Sequence, residues 1–233
     1  MALCKRFHRD VQQRFLAAFD MDGTLLVGRF VFALSEMLGL DCRVTEIQAS
    51  AAPNHVKTKE IAALFAGITK KDVESAVESL PLAANCEKAV GLLKQHCYAT
   101  GIISDSYTVA AGAVARRLEM DFVSANDLVF DDNNNNSVAT GGVRMPMGWE
   151  KIGCDCLLSV CKRFHLEQQA ARLGVPMERT AAVGDTRSDI CMIRRASIGV
   201  AFMPKDSYVE ASTANVVRTP DMMLVADLLV AAA

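Results

Sequence analysis

The stretch Phe15-Leu16-Ala17-Ala18-Phe19-Asp20-Met21-Asp22-Gly23-Thr24 decides how the rest of the chain is interpreted. Its apolar run is typical of a buried strand, and strand side chains alternate between two faces. Asp20 and Asp22 should therefore leave the end of this strand on one side, while Met21 packs on the other. Two carboxylates so close together repel each other unless a cation or a shared proton lies between them. A turn with two solvated acids is the alternative, because Asp-Gly is a common turn pair.

Composition indicates a packed globular protein. The chain has 233 residues, of which 51% are hydrophobic and 22% are charged, enough for one large domain or a domain with an insert. A formal net charge of −2 gives no electrostatic reason to expect a nucleic acid or membrane partner. The basic residues among 1–14 are interpreted as a solvated leader. A monomer and a homodimer both remain open.

Three features of the sequence favour a cytoplasmic location. Residues 1–14 are polar and charged, without the apolar segment of a secretory signal. The apolar run 222–233 is too short to span a bilayer and is interrupted by Asp227, so it predicts a terminal amphipathic helix. Eight cysteines scattered through a chain of this size favour reduced thiols.

The segment after the first strand predicts only helices. Apolar spacing indicates helices over 29–40, 44–51, 59–65 and 72–80, with Thr69 and Asp72 forming a capping box before the last of them. Pro81 ends this block. We therefore expect residues 28–82 to form a small helical cap inserted after the first strand.

The remainder predicts alternating helices and strands. Strands are expected at 98–103, 122–123, 180–183, 198–201 and 216–217, and helices at 87–96, 108–118, 157–173, 189–195 and 205–212. Residues 128–130 and 138–140 predict a hairpin around the polar loop 131–136. Alternation of this kind predicts a doubly wound, Rossmann-like parallel α/β sheet, built from residues 1–27 and 83–233 with the cap over its carboxyl edge.

Several polar residues follow predicted strands and should meet at this edge, where open parallel sheets bind ligands. They are Asp20 and Asp22, the predicted turn Ser104-Asp105-Ser106, and Asp185 with Asp189. Grouped acids need a cation, and hard oxygen ligands select Mg²⁺. Lys162 lies one helix before Asp185, and a lysine with a hydroxyl suits a phosphate dianion. One aspartate could then attack phosphorus while its neighbour transfers protons.

These motifs together resemble the haloacid dehalogenase superfamily of phosphohydrolases. The first motif stands as Asp20-Met21-Asp22-Gly23-Thr24, the second as Ile102-Ile103-Ser104-Asp105, the third as Lys162 and the fourth as Gly184-Asp185-Thr186-Arg187-Ser188-Asp189. The helical insert and the 122–142 stretch are similar to the phosphoserine phosphatase subfamily. The resemblance implies a phosphatase that acts on a small phosphate ester.

The resemblance also implies a role for each motif residue. Asp20 would be the nucleophile that becomes aspartyl-phosphate and a Mg²⁺ ligand, and Asp22 the general acid and base, with its carbonyl on the metal. Asp185 would be a direct ligand, and Asp189 would bind the metal through water or orient the site. The groups that hold the phosphoryl oxygens would be Ser104, the Asp105 amide and Lys162.

The substrate region departs from the subfamily. Arg29 stands near the position where phosphoserine phosphatases usually place a glutamate, and the expected cap arginine has no clear match. A basic residue at the mouth favours an acidic organic phosphate over a zwitterion, so phosphoserine should be a poor substrate. His55 in the cap is a candidate substrate contact or simply a surface residue. A phosphotransferase with the same first half-reaction and a non-catalytic phospho-ligand binder are the alternative functions.

A second cluster of metal-binding residue types lies in 154–165. Cys154, Cys156, Cys161 and His165 form the pattern Cys-x-Cys-x4-Cys-x3-His, which suggests zinc. Packing thiols are the favoured interpretation, because Cys-x-Cys is not a common structural-zinc spacing. In addition, Cys161 and His165 would flank Lys162 on a helix.

Overall fold

β1 (Phe15–Phe19) forms the centre of a seven-stranded sheet in the computed structural model, which describes residues 15–131 and 137–233. The strand order is β4-β3-β2-β1-β5-β6-β7. The other strands are β2 (Tyr98–Tyr107), β3 (Phe122–Asp131), β4 (Val138–Arg144), β5 (Thr180–Gly184), β6 (Ile198–Phe202) and β7 (Asn215–Val217). All neighbouring strands pair in parallel except β3 and β4, which form the predicted antiparallel hairpin. The parallel α/β prediction is therefore confirmed.

The residues of β1 explain why helices cover both faces of the sheet. Leu16 and Ala18 point to one face, Ala17 and Phe19 point to the other, and all four are fully buried. On the Ala17 face lie α5 (Cys86–Gln95), α6 (Thr108–Arg117) and α11 (Met222–Ala231). On the Leu16 face lie α8 (Lys162–Leu173) and α9 (Ile190–Arg195). Burial on both sides is the expected setting for a continuous apolar strand.

Four helices lie between β1 and α5, and we call them the cap. They are α1 (Phe30–Met37), α2 (Asp41–Ala49), α3 (Asn54–Leu64) and α4 (Lys70–Glu78). The predicted capping box before α4 is present, with the Asp72 N–H donating to Thr69 Oγ1 and the Thr69 N–H donating to Asp72 Oδ2. α3 begins earlier than expected, directly after Pro53, whose extended backbone (ψ 150°) marks the start of the helix. The boundaries 28–82 stay a proposal.

Two other predicted boundaries are wrong. Residues 104–106 belong to β2 instead of a turn, because β2 continues through an irregularity to pair Tyr107 with Asn126 of β3. The helix predicted from residue 157 begins at Lys162. Leu157 adopts a left-handed φ of 51°, which a helix cannot contain, and Val160 bridges to Met147 in an extended strand-like contact.

The remaining short helices are α7 (Trp149–Ile152) and α10 (Ser207–Glu210). The predicted leader and the asparagine-rich loop tip lie outside the described residues. Within 15–131 and 137–233, every helix falls short of the length and apolar character that a membrane span requires.

Candidate active site

A cavity of about 650 Å³ opens at the carboxyl edge of the sheet, where β1 and β5 end side by side. Asp20 follows β1 directly, and its N–H donates to the Val183 carbonyl of β5 at 2.9 Å. The residues lining the cavity are Asp20, Asp22, Gly23, Gly28, Arg29, Asp105, Asp185, Thr186, Arg187, Ser188, Lys205 and Asp206. Of the predicted site residues, the structure places Asp20, Asp22, Asp105 and Asp185 on the cavity wall, whereas Ser104, Lys162 and Asp189 do not line it.

A buried lysine joins two of the predicted acids. Lys162 Nζ donates to Asp20 Oδ1 and to Asp189 Oδ1, each at 2.5 Å, and the lysine side chain is fully buried. Burial alone would lower the pKa of Lys162, but the Asp189 and Asp20 carboxylates hold it well above its usual value. Lys162 is therefore a fixed positive charge at the base of the cavity. It lies at the first residue of α8, which directs it back toward β1.

Both carboxylate oxygens of Asp189 accept hydrogen bonds from other groups of the protein. Oδ1 accepts from Lys162, while Oδ2 accepts the N–H groups of Asp185 and Thr186 at 3.1 and 2.9 Å. This capping arrangement fixes the turn that carries Asp185. The geometry favours the orienting role for Asp189 over direct metal ligation.

Three carboxylates lie close together, and two of them, Asp20 and Asp185, are suited to a hard cation. One oxygen each from Asp20, Asp185 and Asp189 lies within 4.8 Å of the others. Burial raises the pKa of Asp185 to about 6 and that of Asp20 well above its usual range. The attraction to Lys162, which lowers both pKa values, is therefore weaker than the effect of burial. A Cβ on Gly23 would come within 2.3 Å of Asp185 Oδ2, so the absence of a side chain there leaves the carboxylate room. The donor set fits Mg²⁺.

Asp22 has a different environment from Asp20. Its carboxylate lies outside the three-acid group, and its Oδ1 accepts the N–H of Phe30, the first residue of α1, at 2.6 Å. Burial raises the pKa of Asp22 to about 6, against the lowering effects of the Phe30 hydrogen bond, Arg29 and Lys162. Met21 between the two acids is fully buried, as the strand alternation predicts. Asp22 is thus a carboxyl that can exchange a proton near neutral pH.

The predicted phosphate-binding residues differ in their exposure to the cavity. Asp105 lines it, whereas Ser104 is fully buried and its Oγ accepts the Ser106 N–H at 3.2 Å. Lys162 reaches the cavity only through the carboxylates that it contacts. Their assignment as phosphate ligands stays a prediction.

The two predicted specificity residues have different positions. Arg29 lines the main cavity and also a narrow cleft between the cap and β2, and its guanidinium stacks 5.1 Å from the centre of the Phe32 ring. His55 lines neither space, although its neighbours Asn54 and Lys57 line the cleft. The cavity therefore favours Arg29 as the residue that meets substrate.

Sequence reasoning missed three residues around Asp185. Thr24 Oγ1 donates to Asp185 Oδ1 at 3.3 Å, and Lys205 Nζ lies 3.8 Å from Asp185 Oδ2. Arg187 lines the same cavity beside them and donates to Asp206. Lys205 follows β6, which pairs with β5, so its position at a strand end was the signal that could have found it.

The structure also corrects the membership of the predicted cysteine group. Cys154, Cys156 and Cys161 come together, but the fourth member of the group is Cys191 on α9, not His165. The helix assumed around Cys161 begins only after it, which leaves the three cysteines in a loop.

Comparison with known families identifies the fold. The family described as haloacid dehalogenase-like hydrolase matches residues 17–194, more than half of the chain. The chain belongs to this family. Its four motif regions all lie within the matched residues.

Individual haloacid dehalogenase-like relatives are named as phosphoserine phosphatases. Phosphoserine phosphatase SerB2 of Mycobacterium tuberculosis is 29% identical over 204 residues, covering 86% of this chain and 47% of that protein. The chain thus spans about half the length of that relative. Phosphoserine phosphatase of Idiomarina loihiensis is 29% identical over 198 residues, covering 82% of both chains.

A solved structure supports the same architecture. It is described as a phospho-aspartyl intermediate analogue of phosphoserine phosphatase and superposes with a TM-score of 0.76 at 22% identity. The match covers 93% of this chain and 99% of the other. At this level of identity the likeness establishes the fold.

Proposed function

We propose that this protein is a Mg²⁺-dependent phosphomonoesterase that hydrolyses a small phosphorylated metabolite through an aspartyl-phosphate on Asp20. The observation that carries the proposal is the contrast between two neighbouring carboxylates. Asp20 is grouped with Asp185 and contacts Lys162, whereas Asp22 lies outside that group and accepts the N–H of Phe30 in the cap. Such a pair suits a nucleophile and a separate proton-transfer group.

Each residue has a defined part in the proposed reaction. A carboxylate oxygen of Asp20 attacks phosphorus, and the bond from phosphorus to the substrate oxygen breaks. Asp22 donates its proton to the leaving alkoxide and then accepts a proton from the water that hydrolyses the acyl phosphate. Lys162 stabilises the charge that develops around Asp20.

Mg²⁺ would be held by Asp20, Asp185 and the Asp22 carbonyl, with Asp189 orienting Lys162 and the Asp185 turn. When bound, the ion supplies neutralisation of negative charge on the phosphoryl group. We further propose that the enzyme acts in the cytoplasm on a free metabolite.

The substrate proposal rests on a basic residue at the cavity mouth. Arg29, Arg187 and Lys205 all line the cavity, but Arg187 is paired with Asp206 and Lys205 lies 3.8 Å from Asp185. The proposal therefore depends on Arg29, which also borders the cleft that leads under the cap. Positive charge in a cleft attracts anionic ligands and disfavours an ammonium group. We therefore propose an organic phosphate with a second acidic group, and poor turnover of phosphoserine.

Phosphate release from a broad panel of phosphate esters tests the reaction. Asp20→Asn should lower Mg²⁺-dependent turnover by at least about a thousandfold, because the amide oxygen is a poor nucleophile. Asp227→Asn, a matched change at an exposed position of α11, should leave turnover unchanged. Substantial residual activity in Asp20→Asn would contradict the mechanism.

The same assay separates the alternatives. Phosphate release in the absence of an alcohol acceptor supports the hydrolase. Turnover that requires an added alcohol would identify a phosphotransferase, and saturable binding without turnover across the panel would identify a phospho-ligand binder.

Arg29→Glu tests the substrate class. We expect kcat/KM to fall by about tenfold or more for acidic phosphates and to rise for phosphoserine, since tenfold corresponds to about 1.4 kcal/mol. Arg43→Glu on the exposed surface of α2 is the matched charge reversal and should change neither value. If wild-type kcat/KM for phosphoserine is well above that for acidic and sugar phosphates, the substrate proposal is wrong.

A further inference from the structure

Four cysteine sulfurs lie close together near the start of α8 and α9. The Sγ atoms of Cys154, Cys156, Cys161 and Cys191 all lie within 4.8 Å of one another. They come from two separate places in the chain, a loop before α8 and the first turn of α9. The cysteines are unpaired thiols in the structure. No part of the proposed phosphatase reaction uses them.

We propose that these four cysteines bind one structural Zn²⁺ ion. Zinc prefers four tetrahedral thiolate ligands with Zn–S distances of about 2.3 Å, which places the sulfurs about 3.8 Å apart. The observed separation limit of 4.8 Å accommodates one ion at the centre. An all-sulfur set without a carboxylate selects a soft or borderline metal over Mg²⁺, which uses the carboxylates at the other site.

The backbone around the sulfurs supports a bound metal. The Arg163 N–H donates to Cys191 Sγ at 3.4 Å, and the backbone groups of Leu158 and Phe164 hydrogen-bond to the Cys156 and Cys161 sulfurs. Hydrogen bonds of this kind stabilise thiolates and orient metal ligands.

The four cysteines lie next to the residues that carry Lys162 and Asp189, so a bound zinc ion would stabilise this part of the proposed active site. Cys161 immediately precedes Lys162, and Cys191 follows Asp189 by two residues. A zinc ion shared by these cysteines would fasten the start of α8 to α9. It would thereby hold Lys162 in place against Asp20 and Asp189. Glu167, paired with Arg163 and with Arg195, links the same two helices further along.

Metal analysis of the full chain, purified under reducing conditions with zinc supplied, tests the proposal. We expect one zinc per chain that survives an EDTA wash. Cys156→Ser and Cys191→Ser should lose it, whereas Cys42→Ser, a matched change at an exposed cysteine, should keep it. Asp185→Asn should also keep it, because the proposed ion is not at the carboxylates.

A second measurement does not depend on whether the variants fold. Co²⁺ added to the wild-type apoprotein should give the intense thiolate-to-metal absorption of a tetrahedral tetrathiolate site, and zinc should abolish that absorption. Zinc at substoichiometric levels with no such absorption would overturn the proposal. Disulfide bonds that persist among the four cysteines after purification under reducing conditions, or zinc lost in Asp185→Asn but retained in Cys191→Ser, would overturn it as well.

Discussion

Replacing Lys162 with methionine tests whether this lysine neutralises the buried acids. The side chain is fully buried and contacts two carboxylates at 2.5 Å. At an effective dielectric constant of about 20, unit charges at that separation of 2.5 Å attract by roughly 6–7 kcal/mol. Relief of the lysine's own desolvation offsets part of this. The expected net loss is therefore about 3–5 kcal/mol, the usual cost of breaking a buried ion pair.

Urea denaturation of Lys162→Met in EDTA at pH 7 measures this loss. Lys205→Met is the matched control, because Lys205 also faces an acid of the group, Asp185 at 3.8 Å, but its side chain is 60% exposed. A solvent-screened pair of that kind contributes less than about 1 kcal/mol. The two variants thus differ in burial and share the chemical change.

The pH dependence gives a second readout with a defined sign. Burial raises the folded-state pKa of Asp20, so the folded protein binds this proton more tightly than the unfolded chain. Such a group lowers stability as pH rises through its folded-state pKa. Lys162 opposes the rise, and its removal should make stability fall more steeply between pH 5 and pH 7. Equal losses in the two lysine variants, or a Lys162→Met loss that is the same at both pH values, would refute the reasoning.

Two further substitutions follow from single contacts. Gly23→Ala should weaken Mg²⁺ activation of turnover by about 10–100-fold, because its Cβ would lie 2.3 Å from Asp185 Oδ2. Gly67→Ala is the control and should leave Mg²⁺ activation unchanged, because Gly67 has a similar left-handed φ but open space around it. Thr69→Ala should lower the free energy of unfolding, measured in urea, by about 1 kcal/mol, whereas Thr69→Ser should stay near the wild-type value. The backbone N–H and then the hydroxyl of Thr69 lower the pKa of Asp72, and only the hydroxyl bond to Asp72 Oδ2 is lost in Thr69→Ala. The difference between Thr69→Ala and Thr69→Ser should therefore shrink as pH falls through that pKa but persist, because Thr69 Oγ1 still accepts the Asp72 N–H; a difference that vanishes would contradict the cap.

The position of Asp20 beside Asp185 was predictable from the sequence because each follows an apolar strand directly. Asp20 and Asp185 come directly after runs that only a buried strand explains, so their meeting follows from the parallel arrangement of β1 and β5. That Lys162 belongs to the site was predictable from its position one helix before Asp185. Its position between two carboxylates was not, because that depends on where α8 begins.

The errors have tertiary causes. Ser104-Asp105-Ser106 has turn composition, but pairing between β2 and β3 extends the strand through it. Cys191 could not be joined to the other three cysteines from spacing, because only the packing of α8 on α9 brings it there. Lys205 was missed although the sequence offered a signal, because it follows β6 and lies beside Asp185, which follows the adjacent strand β5.

The position of Asp22 links the cap to the proposed chemistry. Its hydrogen-bond donor is the backbone of Phe30, whose side chain is fully buried and packs edge-on against Tyr107 at 6.4 Å. Phe65 at the end of α3 packs on the same Tyr107 ring at 6.2 Å. The donor is therefore fixed by packing between two cap helices and the end of β2. Because the same hydrogen bond lowers the pKa of Asp22 against the larger effect of burial, the packing of the cap fixes the orientation of this carboxyl and favours its ionised form.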